Sequence, residues 1–216
     1  WSDPIHGTPL YVMAAAVHAC LELEDANPRF DGREAVRALV RRERDRLQRA
    51  AATVGLDREA FTQALAIGIL LDGTDPPFLE KLTSLPALMG LGDHWDQLEA
   101  LSLRSKNGVS LDAPDVVAAA FLAETLGETN HAGDLIWGAS LARPMPLERL
   151  ERLASDAAFI FGGRSPVIDA LLENVGQPER FPAYLRAIAS RRADTLDPVL
   201  LPVIEHLWRT LADGEL

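Results

Sequence analysis

Leu101-Ser102-Leu103-Arg104-Ser105-Lys106-Asn107-Gly108-Val109-Ser110-Leu111 carries the one convincing β signal in the chain. Apolar and polar residues alternate at Leu101-Ser102-Leu103 and again at Val109-Ser110-Leu111, and Asn107-Gly108 sits between them. Alternation with period two sends side chains to opposite faces of a strand, and Asn-Gly accepts the positive φ of a tight turn. The segment therefore predicts a small β-hairpin. Nearly every other segment reads as helix, so the fold class expected is all-α with one minor hairpin.

On the amino-terminal side, Asp57 starts a helix through Phe61, Leu65, Ile69 and Leu70, closed by Asp72-Gly73. Pro76 or Pro77 starts a second, through Leu79, Leu82 and Leu85, which Pro86 should end or kink. Beyond the hairpin, Asp112 is a candidate cap for a helix carrying Pro114, Asp115, Val116, Val117, Phe121 and Leu122. Helix, helix, hairpin, helix outlines a winged helix over residues 56–126.

Residues 1–55 precede it as a helical, lid-like subdomain. Thr8 can cap a mostly buried helix with Pro9 in its first turn, where a missing N–H costs nothing. A second helix from about Arg33 to Val54 has Val36, Leu39, Val40, Leu47 and Val54 on one stripe, and Gly55 stops it. Its other face is basic. Arg41, Arg42, Arg44, Arg46 and Arg49 alternate with Glu43 and Asp45, which predicts a solvated, salt-bridged face. The functional alternative is a contact surface for the acidic remainder of the protein or a neighbouring protomer.

After Gly127 the chain reads as a helical array over 127–216, with proline at helix starts (Pro146, Pro166, Pro198) and an α-solenoid as the expected architecture. The last stripe, Val203, Ile204, Leu207, Trp208 and Leu211, needs cover.

Composition bounds the function. The chain has 216 residues, 48% of them hydrophobic, enough for a sizeable core. A formal net charge of −11 disfavours a nucleic-acid or anionic-membrane footprint. No apolar run approaches the ~20 residues that span a bilayer. The single cysteine, Cys20, excludes an internal disulfide and suits a reducing cytoplasm.

The opening Gly7-Thr8-Pro9-Leu10, leading into an apolar helix, resembles the GxPL motif of STAND-class P-loop ATPases, the group with the NB-ARC and NACHT switch proteins. The segment Ala113-Pro114-Asp115 falls where NB-ARC proteins carry a Met-His-Asp motif. The aspartate is kept and proline replaces the histidine, a variant closer to bacterial STAND-like ATPases. The likeness covers about residues 1–161. It implies that Gly7, Thr8, Pro9, Leu10 and Asp115 face a nucleotide, with the proline against adenine. ATP or ADP would then bind only together with an upstream nucleotide-binding domain, for the chain has no phosphate-binding loop and starts at Trp1 rather than Met. The expected role is non-catalytic and regulatory: coupling the nucleotide state of that upstream core to a sensor or effector, in the cytoplasm, with homo-oligomerisation left open.

Other classes stay open. One is a free-standing helical scaffold that binds a protein partner and has no nucleotide role. Another is a small-molecule regulator with a pocket lined by Trp137, Phe159 and Phe161. DNA binding is disfavoured because the helix expected over Pro77–Met89 carries Lys81 beside Glu80, and the wing adds only Arg104 and Lys106. Duplex binding takes ~6–10 phosphate contacts. No residue set reads as an active site. His6, His18, His94, His131 and His206 are dispersed, and the densest cluster, Asp93-His94 with Asp96, reads as a surface loop. Ser155-Asp156 and Ser165 lack a nucleophile elbow.

Overall fold

A computed structural model describes residues 32–173, apart from 83–84, 86–87, 89, 102, 106–107, 112, 131, 144–146 and 163–165, together with 205 and 209. Within these residues the chain is all-α with one two-stranded antiparallel hairpin. The expectations for Gly7, Thr8, Pro9 and Leu10, the first helix, Cys20, Pro198 and the stripe from Val203 to Leu211 lie outside them.

The basic helix is α1, Gly32–Thr53, and it buries Ala35, Val36, Val40, Leu47 and Ala51. Gly55 follows with φ +81°, the left-handed stop expected of it. Helix α2, Arg58–Leu71, begins where Asp57 was expected to cap it: its Oδ1 accepts from the Ala60 N–H at 2.7 Å. It ends at Asp72 (φ 61°) and Gly73, as the sequence indicated.

The next stretch corrects the expected long second helix. The first α-helical piece, α3, Pro76–Leu79, is capped by Asp75 with prolines in its first turn; Leu82 and Leu85 are not helical, and Leu88 is helical again. Beyond it the N–H groups of Lys81, Leu82, Leu85 and Leu88 donate to carbonyls three residues back, those of Phe78, Leu79, Leu82 and Leu85. Leu79, Leu82, Leu85 and Leu88 recur every three residues, the span of these bonds. Leu79, Leu82 and Leu88 are fully buried.

A second correction concerns Asp93-His94-Trp95-Asp96. It is no loop: a 3₁₀ turn at Gly90–His94 runs into α4, Trp95–Leu101. Trp95 packs against the core while Asp93, His94 and Asp96 remain exposed.

The hairpin forms with both strands displaced: the first starts two residues later than expected, and the second starts one residue earlier, at Gly108, leaving Leu111 beyond it. Leu101 ends α4, and the strands are β1, Leu103–Ser105, and β2, Gly108–Ser110, with Arg104 opposite Val109. Thr74 adds a bridge on the other edge of β2. Its N–H donates to the Val109 carbonyl at 3.0 Å, and the Val109 N–H donates back to the Thr74 carbonyl at 2.7 Å. The β2 backbone also lies directly on α2, where a Cβ built on Gly68 would stand 2.6 Å from the Val109 oxygen. Only glycine permits that approach.

Helix α5, Asp115–Glu128, has Pro114 at its N-cap position, and the cap expected of Asp112 lies outside the described residues. It is followed by α6, Ala132–Ala142, α7, Leu147–Ile160, and α8, Pro166–Glu173, the last beginning at an expected proline. Ala118 to Ala123 of α5 are all buried, and the helix packs against α1, α2, α7 and α8. One continuous apolar cluster runs from Ala35 to Ala170 through these helices. Among the described residues no helix is long and apolar enough to cross a membrane.

Candidate functional site

Asp115 is the one expected site residue within the described part of the chain. It occupies the first turn of α5, where a carboxylate interacts favourably with the helix dipole. Its Oδ2 lies 3.3 Å from Arg152 Nε on α7, and both side chains are about half exposed. Asp156 stands one turn further along α7. Burial pushes its carboxyl above the ordinary 3.8, the Asp115 charge pushes the same way, and Arg152 partly offsets both. An acid whose folded value exceeds its unfolded one favours folding most below the unfolded value, and that gain is lost as pH rises through the folded value. Asp156→Asn should therefore raise Tm at pH 7 and change it little at pH 3, read from thermal melts at the two pH values.

The basic face of α1 does have a partner within the chain. Arg41 Nε bonds Glu124 Oε1 at 3.2 Å, and Arg44, itself buried, bonds Glu128; both glutamates lie on α5. Arg37 pairs locally with Glu34, and Arg46 with Glu43. The helix is thus salt-bridged along its surface, and it is also the contact for an acidic part of the same protein.

Arg44 holds the Glu128 carboxyl below the ordinary 4.5 by a direct hydrogen bond, against a smaller cost of burial. A lowered folded value means stabilisation that is present above 4.5 and lost as pH falls through the folded value. The Glu128 side chain is 62% exposed, so solvent screening keeps the effect modest. Glu128→Gln should lower Tm at pH 7, and the gap to the parent should close on acidification below the ordinary value.

Two further arginines, which the sequence did not single out, tie α7 and the residue after α6 to the end of α2. Arg149 of α7 donates from Nε to the Ile69 carbonyl at 2.5 Å and lies 3.5 Å from Asp72, so it satisfies the last turn of α2. Arg143, just after α6, donates to the Gly73 carbonyl at 3.2 Å and to Asp75 Oδ2 at 2.9 Å. Its guanidinium also sits 5.0 Å over the Phe78 ring. No periodicity marks Arg143 or Arg149, because their partners are backbone carbonyls some 70–80 residues away.

The aromatic residues named for a pocket have these neighbours. Phe159 and Phe161 lie under Arg33 and Arg37 of α1, at 4.7 and 5.8 Å, and Trp137 packs against the core. Among the described residues no group of histidine, cysteine and carboxylates could hold a metal ion. The helix leading into the hairpin, Trp95–Leu101, contains Asp96 and Glu99 and no lysine or arginine.

No known protein family matches the chain, and neither the curated proteins nor the solved structures yield a match.

Proposed function

We propose that this chain is a non-catalytic regulatory arm. It relays the nucleotide state of a P-loop ATPase core, supplied by an upstream domain, to a sensor or effector. The observation that carries the reading is the pair of arginine clamps. Arg143 and Arg149 of the helical array grip the carbonyls of Gly73 and Ile69 at the end of α2, so turning the hairpin-bearing unit turns the array with it. A relay needs such a stiff joint between the part that senses and the part that reports.

The order α2, Thr74 bridge, short helices, hairpin, α5 supports a winged helix, and the resemblance of Gly7-Thr8-Pro9-Leu10 to GxPL supports a nucleotide-facing entry. Asp115 keeps a half-exposed carboxylate at the position the resemblance assigns to the nucleotide side. A protein-packing use of the winged helix fits the acidic Trp95–Leu101 helix and the overall charge of −11 better than DNA does. The lone Cys20 fits a cytoplasmic setting.

Titration with ATP and ADP tests the reading. The 216-residue chain alone should neither bind tightly nor turn over ATP. In the protein that includes the nucleotide domain, Pro9→Ala should weaken nucleotide affinity roughly tenfold, about 1.4 kcal/mol, with little loss of stability. Tight binding with turnover by the chain alone defeats the assignment. A Pro9→Ala variant with unchanged affinity favours a free-standing protein-binding scaffold instead.

A further inference from the structure

We propose that α1 is a fixed part of the body formed by the helices after it, so that the Val54-Gly55-Leu56 link is not the pivot of the switch. The inference rests on the relay reading, because only a switch has a pivot to locate.

A pivot needs a link crossed by few contacts, so that a few backbone torsions absorb the motion. The link after α1 is crossed by many, and they are spread along the helix. Near its start, Arg33 and Arg37 lie over Phe159 and Phe161 at the end of α7. At its middle, Arg41 and Arg44 bond Glu124 and Glu128 at the end of α5. On its inner side, Val36, Val40, Leu47 and Ala51 belong to the same buried cluster as α2, α5 and α7.

Opening at Gly55 would break ion pairs, aromatic stacking and apolar contacts together, because a rigid helix cannot release one end without levering the other. The link itself is tied down. The N–H groups of Val54 and Leu56 both donate to the Ala51 carbonyl, at 3.1 and 3.0 Å, and Leu56 is buried. The left-handed Gly55 is a helix stop followed at once by core packing.

Native-state hydrogen exchange on the 216-residue chain in rising, sub-denaturing urea reads the attachment directly. The amides of Val40, Arg44 and Leu47 should share one opening isotherm with those of Phe121 and Leu122, their opening equilibria agreeing within about tenfold. If α1 opens more than about tenfold more often, with a smaller urea dependence of its own, it is a separate unit and the inference is overturned. Failure of the relay reading would look different. The protein with its nucleotide domain would then show no affinity for ATP or ADP, while the exchange pattern of α1 stayed as measured.

Discussion

Gly108→Ala should lower the unfolding free energy by about 3 kcal/mol or more, seen as an earlier urea midpoint. Two costs add at this residue. Gly108 opens β2 with φ +123°, a conformation that costs an L residue about 1–3 kcal/mol. A Cβ there would also stand 1.8 Å from the Thr74 carbonyl oxygen, far inside any permitted contact. That carbonyl accepts from the Val109 N–H, and Thr74 returns a backbone bond and a hydroxyl bond to the Val109 carbonyl. Relieving the clash means pulling Thr74 away and exposing groups that are otherwise paired and buried, at about 0.5–1.5 kcal/mol for each bond lost. Gly127→Ala is the matched control. It lies near the end of α5 with nothing within 4 Å of its added Cβ, so alanine should be neutral or mildly stabilising there. If both substitutions have the same effect, the Thr74–Val109 bridge is not what Gly108 serves.

The hairpin shows how far local sequence reaches. The second strand was placed within one residue because turn chemistry and strand period act over a few residues, though Gly108, read as turn, opens it. The first strand was misplaced by two residues because Leu101 satisfies both a strand alternation and the last turn of α4, and Trp95 packing against the core decides for the helix. The stretch after Pro76 misled for a related reason. Leucines three apart suit one turn of α-helix as well as a series of 3₁₀-type bonds, and only the hydrogen bonds separate the two. Asp57, Gly55 and Pro166 were read correctly since each acts on its own helix end.

The candidate site was less legible. Asp115 could be marked, but its partner Arg152 could not, because that pairing depends on how α5 packs on α7. Arg143 and Arg149 left no trace at all: each contacts backbone carbonyls, and a carbonyl is the same in every residue.

Phe121→Ala should cost about 3–5 kcal/mol, the usual toll for emptying a phenylalanine site that cannot collapse. Phe121 is fully buried in the middle of α5, whose neighbours are α1, α2, α7 and α8. Small buried residues flank it, Ala118, Ala119, Ala120 and Ala123, none of which can reach into the space the phenyl ring fills. The helices cannot simply move in to fill the void. Arg41 and Arg44 pin α1 at the far end of α5, and Arg149 pins α7 to α2. The cavity therefore persists, and its lining loses dispersion contacts. In urea the variant should show an earlier midpoint with an unchanged slope, and fluorescence and circular dichroism should report one coincident transition. Two separated transitions would mean that the array unfolds apart from the hairpin-bearing unit. A joint that lets one half melt while the other stands is too soft to carry a rotation, and the relay would lose its mechanical basis even if nucleotide binding upstream were demonstrated.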